Sequence, residues 1–448
     1  MKSRICTILC LLTMFGFVTI FVQGQWHPFS LKPLYGYTTV TPKPELTVSG
    51  FARSDYQNRC EQYISENFGF REWFIRIYNQ AVYDCFGTIT NDNIVKGESQ
   101  ELYMKMYLND ITGKTLADHY STVEEAKADA RKNVEETLRL IETLRRRNIK
   151  FLFVFAPSKT LVYPEYIPKH YRDSISDFSL QEYYIELCKE NDIPHVDFLN
   201  YFRAIKDTVT YPLYSRTGSH WAESVIPFVA DSLYRKMEEI TGLRLPSVKV
   251  VDENLTKNYS GPDGELETTM NLLFPLNKPA LPRPIFTLTD TLDADKPNLL
   301  VVGDSYFNQL KESPFAEAFN HWDHWLYNRD IYSSRERYNW NQLQREFDAV
   351  TVLQEADIVM AIFTAPMCYD FMFGFARTGQ ELLEKGYFNE EKSFAIVKEM
   401  IVSDSVWYNN VKEQAIKRGI SEEECLSLSA HYWLSQLKNK IKQPEMEQ

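Results

Sequence analysis

The sequence has no basic tract beyond one short run. Its 448 residues carry 49 Lys and Arg against 61 Asp and Glu, which gives a net charge of −12. The single run, RRRN at 145–148, ends a helical pattern, where cations complement the helix dipole. Nucleic-acid-binding proteins normally present a basic face. The composition therefore argues against nucleic acid as a partner.

Paired cysteine motifs are also missing. Seven cysteines occur and no CxxC is found, and two of the seven lie in the first apolar segment. The other five are scattered and odd in number: Cys60, Cys85, Cys188, Cys368 and Cys425. A bond between Cys60 and Cys85 and a set of buried free thiols both fit this spacing. No cofactor is indicated.

Charge is absent from residues 5–22, which read ICTILCLLTMFGFVTIFV and follow the basic start MKSR. This pattern is typical of an export signal or a membrane anchor. Val22 and Gly24 fit the −3 and −1 positions of a cleavage site, but the apolar run is longer than most cleaved signals, which favours an anchor. In either case the basic start predicts that the chain after this segment lies outside the cytoplasm.

Helical and strand-like patterns alternate through the middle of the chain. Residues 122–148 show the clearest helical periodicity, and they lead directly into the apolar strand pattern IKFLFVFAP. Two further buried strands are predicted in NLLVVGDSYF and EADIVMAIFTAP, whereas residues 243–296 are Pro-rich and polar and are read as an excursion. This alternation predicts an α/β fold with a parallel sheet.

A Gly-x-Ser-x-Gly motif is absent, so the usual α/β-hydrolase elbow is not predicted. Instead, a strand runs into Gly303, Asp304 and Ser305 and then into a helical pattern. This order places the Ser305 hydroxyl at the carboxyl edge of the sheet and directs the Ser305 backbone N–H at an oxyanion, with Gly303 and Asp304 assigned to the turn and the oxyanion site. A serine that caps a helix after a strand gives the same local pattern.

A serine nucleophile needs a base, and the sequence offers eight histidines. His220, in YSRTGSHWAE at 214–223, lies just before a helical pattern and beside a tryptophan, which makes it the best candidate. His321 and His324 flank Asp323 in HWDHW, but strand alternation would separate their side chains. No metal site is predicted there.

Taken together, RTGSHW and the later VVGDSYF resemble the SGNH-hydrolase-like acetyltransferases related to the alginate O-acetylation proteins, which carry an Asp-x-His-Trp motif and a later Gly-Asp-Ser motif. EQYISENFGFREWFIRIYNQ at 61–80 and FVFAPSKTLVYPEYIP at 154–168 are similar to further segments of that family. The resemblance covers roughly residues 55–385. It implies a three-layer parallel sheet with permuted motif order, flanked by helices.

The sequence patterns and the resemblance together divide the chain into five regions. These are a signal anchor or signal peptide at 1–24, a spacer at 25–52, an N-terminal helical region packed on the core at 53–90, the SGNH-hydrolase-like domain at 91–388 and a helical C-terminal extension at 389–448.

The resemblance implies Ser305 as nucleophile and His220 as base. Gly218 occupies the position of the family's triad aspartate, so another carboxylate, a dyad or a loss of catalysis must be considered. Substrate contacts are expected from four residues: Arg216, Trp221, Tyr306 and Trp325.

The function implied is an extracytoplasmic O-acetyltransferase that forms a serine ester and passes the acetyl group to a surface polysaccharide, with a membrane-bound O-acyltransferase as partner on the donor side. The expected location is the periplasmic face of the bacterial inner membrane, or the periplasm if the N-terminal segment is cleaved. A carbohydrate acetylesterase and a catalytically weakened glycan-binding scaffold are the alternatives.

Overall fold

The structure is a computed structural model and describes residues 2–36, 41–51, 55–335, 342–386 and 390–437. The strands are β1 Ile94–Lys96, β2 Leu102–Met104, β3 Lys150–Phe155, β4 His195–Asp197, β5 Ser247–Thr256, β6 Leu281–Thr289, β7 Asn298–Gly303, β8 His321–Leu326, β9 Asp330–Ser333 and β10 Ile358–Phe363.

The helices of the first half are α1 Lys2–Trp26, α2 Val48–Phe51, α3 Tyr56–Asn67, α4 Arg71–Phe86, α5 Lys105–Ile111, α6 Lys114–His119, α7 Val123–Arg145, α8 Lys159–Val162, α9 Lys169–Arg172, α10 Leu180–Glu190 and α11 Phe198–Ile205. Those of the second half are α12 Ile226–Thr241, α13 Glu265–Thr269, α14 Phe307–Lys311, α15 Gln342–Glu355, α16 Phe375–Lys385, α17 Glu390–Ser403, α18 Ser405–Arg418 and α19 Glu422–Leu437.

Six strands form the central sheet, in the order β4-β3-β10-β7-β8-β9. Neighbouring strands are parallel except for β9, which runs antiparallel to β8. The three central strands, β3, β10 and β7, are almost entirely buried, which explains why their sequences are continuous apolar runs. The prediction of an α/β fold with a parallel sheet is confirmed.

Apolar side chains fill the space on both faces of this sheet. On one face, Phe153 of β3 packs in a cluster with Tyr184 of α10 and Leu140 of α7. On the other, Val301 of β7 packs with Val229 of α12. Because each face is covered by helices, the sheet and its two helical layers form the predicted three-layer arrangement.

The long helix α7 begins as its sequence predicts. The Thr122 hydroxyl accepts a hydrogen bond from the Glu125 backbone N–H at 3.1 Å, and the Glu125 carboxylate accepts one from the Ser121 N–H at 2.8 Å. The first bond caps the helix, and the second is a variant of the capping box in which the Glu125 side chain returns to the residue before the N-cap. The helix then delivers the chain into β3.

One segment differs from the sequence expectation. Residues 243–296 are not an irregular excursion, because they contain the antiparallel ribbon β5–β6 and helix α13. Most of β5 is exposed on both faces, so its polar sequence gave no sign of a strand.

The two ends of the described chain are helical. Helix α1 contains the segment Arg4–Trp26, which is long and apolar enough to cross a membrane, a property that signal sequences share. Helices α17, α18 and α19 enclose a small apolar core of their own, which includes Val397, Val411 and Leu434. The helical C-terminal region is thus confirmed, whereas the exact domain boundaries remain a prediction.

Gly303 ends β7 where β10 comes closest. A Cβ atom at this position would lie 2.5 Å from Ile362 Cγ2 and 2.6 Å from the Ile362 carbonyl oxygen. We expect Gly303→Ala to force the two strands apart and to lower the free energy of unfolding by about 1–3 kcal/mol, measured by urea denaturation. Equal stability of variant and parent would show that the strands are not in this close contact.

Candidate active site

Ser305 lies immediately beyond the carboxyl end of β7 and is half-buried. The turn before it is held by Asp304. Its backbone N–H donates to the Ile362 carbonyl at 3.1 Å, and its carboxylate accepts hydrogen bonds from the Tyr306 N–H at 3.0 Å and the Thr364 N–H at 2.8 Å. The Asp304 carboxylate is therefore used in shaping the turn.

The structure brings His220 to Ser305. The His220 Nε2 atom is 2.8 Å from Ser305 Oγ, although the two residues are 85 positions apart. A distance of this size allows direct proton transfer between a hydroxyl and an imidazole. The sequence-predicted nucleophile and base thus form one hydrogen-bonded pair at the carboxyl edge of the sheet.

Glu265, the first residue of α13, completes a triad. Its Oε1 atom is 2.8 Å from His220 Nδ1 and accepts a hydrogen bond from the Ser219 backbone N–H at 2.9 Å. The Ser219 hydroxyl donates to the same oxygen. With Nδ1–H directed at the carboxylate, Nε2 of a neutral imidazole is free to accept the Ser305 proton.

Gly218 does not mark a missing acid, because no side chain fits at this position. A Cβ atom on Gly218 would lie 2.1 Å from the Pro262 carbonyl oxygen and 2.8 Å from Ser215 Oγ. The segment that occupies this space leads within three residues to Glu265. The same segment therefore excludes an aspartate at 218 and supplies the carboxylate that takes its place.

The ionisation of the pair follows from its surroundings. Burial lowers the pKa of His220, but the hydrogen bond to Glu265 and the charges of the Glu265 and Asp304 carboxylates together outweigh burial, so the pKa lies above its ordinary value. For Glu265, burial raises the pKa, while the contacts with His220 and Ser219 bring it below its ordinary value. Both directions favour a carboxylate that stabilises the imidazolium formed during proton transfer.

Lys159 holds the backbone that carries His220. Its ammonium is buried and donates to the carbonyls of Leu102 at 2.9 Å, Ser215 at 2.7 Å and Gly218 at 3.3 Å. Glu101 supplies the compensating charge at 2.9 Å. This lysine lies in the segment at 154–168 that is similar to the family, and in the structure it supports the 215–218 loop.

Three of the four expected substrate contacts are not available to a substrate. Trp221 and Trp325 are 0% and 1% exposed, and Tyr306 is also fully buried. The Tyr306 ring packs against His220 with ring centroids 4.6 Å apart, and its hydroxyl donates to the Ser219 carbonyl at 2.9 Å. The expectation for these three residues is wrong, because all three are core residues. Trp221 and Tyr306 belong to the apolar core on one face of the sheet, and Trp325 belongs to the core on the other face.

Arg216 remains accessible, with 39% of its side chain exposed and its guanidinium 3.6 Å from Glu101. Its contact with substrate stays a prediction. Tyr327, which the sequence did not single out, follows β8 with a left-handed φ of 52°. Burial and the charge of Asp304 raise the pKa of Tyr327, and a hydrogen bond with Ser305 opposes them, so a protonated tyrosine borders the nucleophile.

The oxyanion expectation for Gly303 and Asp304 also needs correction. The Asp304 N–H already donates to Ile362, and Gly303 is required by the close approach of β10. Among the described residues, no acceptor bonds the Ser305 backbone N–H. That N–H is therefore the remaining donor of this turn for an oxyanion.

The polar side chains of the HWDHW motif make structural contacts. Asp323 pairs with Arg335 at 3.1 Å, and His324 is fully buried, with its pKa lowered to about 3 by burial and by Lys311. Within the described ranges, no group of three or more potential metal ligands is found.

Residues 116–318 match the family model described as the SGNH hydrolase-like domain of the acetyltransferase AlgX. This range includes Lys159, His220, Glu265 and Ser305, and it confirms the resemblance stated from the motifs. No curated protein sequence matches the chain.

Several solved structures are similar to this one at low sequence identity. The O-acetyltransferase domain of Pseudomonas putida AlgJ is 14% identical over 62% of this chain and 92% of its own, with a TM-score of 0.37. Pseudomonas aeruginosa AlgX is 15% identical over 64% of this chain and 65% of its own, with a TM-score of 0.40. Bacillus cereus PatB1 with a sulfonyl adduct is 14% identical over 56% of this chain and 93% of its own, with a TM-score of 0.37.

The role of Glu265 predicts a pH effect. Its charge raises the pKa of His220, and only the neutral imidazole can act as a base. We expect Glu265→Gln to reduce kcat/KM for an acetyl ester about 10²- to 10⁴-fold and to move the acidic limb of its pH profile to lower pH. A limb that stays at the parental pH would contradict this role.

A second substitution tests the place of the carboxylate. We expect Gly218→Asp to abolish activity both alone and with Glu265→Gln, because its Cβ would meet the Pro262 carbonyl. Steady-state ester hydrolysis measures this, and circular dichroism checks the fold. Recovery of activity in the double variant would show that position 218 can carry the triad acid.

Proposed function

We propose that this chain, whose residues 116–318 match the SGNH hydrolase-like domain model of the acetyltransferase AlgX, is an O-acetyltransferase that acts through an acetyl ester on Ser305. The observation that carries this proposal is the hydrogen-bonded series Ser305–His220–Glu265, in which both links measure 2.8 Å. A nucleophile, a base and an orienting carboxylate in this arrangement are the requirements of acyl transfer.

In the first half-reaction, Ser305 Oγ attacks the carbonyl carbon of a donor acetyl ester while His220 Nε2 takes the hydroxyl proton. Glu265 stabilises the imidazolium, and the Ser305 backbone N–H donates to the developing oxyanion. As the intermediate collapses, the donor C–O bond breaks and the imidazolium returns its proton to the departing alkoxide. The acetyl group is then an ester of Ser305.

In the second half-reaction, a sugar hydroxyl attacks the Ser305 ester and His220 again accepts the proton. The C–O bond to Ser305 breaks, and the serine oxygen recovers a proton from His220. The acetylated sugar leaves, and the enzyme is regenerated. Water in place of the sugar gives hydrolysis, so the acetylesterase alternative differs only in the acceptor.

The family match supports acetyl transfer, since the matched model is that of an acetyltransferase. We propose a surface polysaccharide as acceptor and a membrane-bound O-acyltransferase as the source of acetyl groups. The apolar segment Arg4–Trp26, with basic residues before it, supports a location on the periplasmic face of the inner membrane.

The scaffold alternative depended on Gly218 as the sign of an eroded triad. Because Glu265 contacts His220 Nδ1, the glycine at 218 is not evidence that the triad acid has been lost. A site that had lost catalysis would not be expected to retain a buried carboxylate hydrogen-bonded to its imidazole. The catalytic proposal is therefore the one that accounts for more of the site.

The test uses purified full-length chain and 4-nitrophenyl acetate. We expect Ser305→Ala to lower turnover at least about 10³-fold and to remove an acetyl adduct that intact-mass analysis detects in the parent. Ser403→Ala, on the exposed face of α17, is the control and should match the parent. Parental turnover in the Ser305→Ala protein, or an adduct elsewhere, would overturn the proposal.

The acceptor is tested separately with a panel of oligosaccharides. Acetyl transfer to a sugar that competes with hydrolysis supports the transferase, whereas hydrolysis alone with every acceptor supports the acetylesterase.

A further inference from the structure

Helix α4 is amphipathic, but its polar face points into the protein and its apolar face points outward. Its polar side chains Arg76 and Asn79 face the protein, and both are 9% exposed. Its outward face carries Trp73, Ile77 and Tyr78, which are 53%, 48% and 63% exposed. A water-facing helix normally shows the opposite distribution.

The inward polar contacts are specific. Arg76 donates to the carbonyls of Lys32 at 2.9 Å and Pro33 at 2.7 Å, and Asn79 donates to the Met270 carbonyl at 2.9 Å. These bonds fix the rotation of the helix. The apolar face cannot turn inward without leaving buried polar groups unsatisfied.

The outward face forms a continuous apolar stripe at helical spacing. Its members, here called the α4 stripe, are Trp73, Phe74, Ile77, Tyr78, Ala81 and Cys85, all of them exposed. From first to last they span about 18 Å of helix. A contiguous apolar patch of this length on an exposed surface indicates an interaction site.

The α4 stripe begins beside the end of the apolar helix α1. The turn before α4 packs on α1 so closely that a Cβ atom on Gly69 would lie 2.0 Å from the Ile20 carbonyl and 2.8 Å from the Gly24 nitrogen. The ring of Phe70, in this turn, is 6.1 Å from Phe29 on one side and 6.1 Å from Trp73 on the other.

We infer that the α4 stripe lies in the interfacial zone of the lipid bilayer, an inference that rests on the proposed function of α1 as a membrane anchor. Tryptophan, tyrosine and phenylalanine at the point where a spanning helix ends are the chemistry of the membrane–water interface. A helix with such a face lies in that zone with its apolar side buried among the headgroups. The turn before α4 packs on α1 at Gly69. Insertion of α1 would therefore bring the α4 stripe to the bilayer surface, and no further partner is required.

This placement fixes the active site relative to the membrane. Asn79 of α4 bonds the Met270 carbonyl directly after α13, and α13 begins with Glu265. Leu266 and Met270 also pack in one apolar cluster with Tyr83 of α4. The helix on the bilayer and the helix that holds the triad carboxylate are therefore adjacent layers of one structure.

The test uses full-length chain in nanodiscs of phosphatidylethanolamine and phosphatidylglycerol. Cys6, Cys10 and Cys60 are replaced by serine so that an environment-sensitive fluorophore labels Cys85, since the other cysteines are buried. The control replaces Cys85 by serine as well and carries the label on Tyr201→Cys, at a 42% exposed position of α11.

We expect the label at residue 85 to be quenched by spin-labelled lipid and to be several-fold less accessible to iodide than the label at residue 201. In a variant with Trp73, Phe74, Ile77 and Tyr78 changed to serine, iodide access should rise while α1 stays inserted and the melting temperature is kept. Equal iodide access at residues 85 and 201 in the parent would overturn the inference. If the label at residue 85 is protected from iodide only when each disc holds two chains, the inference is wrong and the stripe contacts a second copy of the chain instead.

Discussion

The candidate active site depends on the hydrogen bond between Glu265 and His220. It measures 2.8 Å, and it sets both the tautomer and the basicity of the imidazole that faces Ser305. The bond exists because the segment before α13 lies directly on the loop that carries His220. In that contact the Pro262 carbonyl takes the space of a side chain at 218. A glycine there and a glutamate at 265 are thus two consequences of one packing arrangement.

Several buried polar groups keep that arrangement in place. The Lys159 ammonium donates hydrogen bonds to carbonyls of the 215–218 loop. The Asp263 carbonyl accepts hydrogen bonds from the hydroxyls of Ser215 and Thr217 in the same loop. Tyr306 connects the serine turn to the Ser219 carbonyl. Loss of any of these would leave polar groups buried without partners, so the loop has little freedom to move. The proposed triad is therefore held in place by these supports.

The sequence predicted the parts of this site that lie in local patterns. Ser305 follows a buried strand and His220 precedes a helix, so their positions at the sheet edge could be deduced without a structure. Glu265 is 45 residues from its partner, in a polar stretch with several other carboxylates and no distinguishing spacing. Only the folded path of the β5–β6 ribbon selects it. The prediction of substrate contact for Trp221, Tyr306 and Trp325 was wrong for a related reason. The sequence alone does not distinguish an aromatic side chain in the core from one that lines a binding groove.

The most direct measurement is the pKa of His220 by nitrogen NMR in histidine-labelled protein, in the parent and in Glu265→Gln. The account predicts a parental pKa above the ordinary value, with the proton held on Nδ1, and a lower pKa in the variant. A parental pKa at or below the ordinary value that Glu265→Gln leaves unchanged would contradict it.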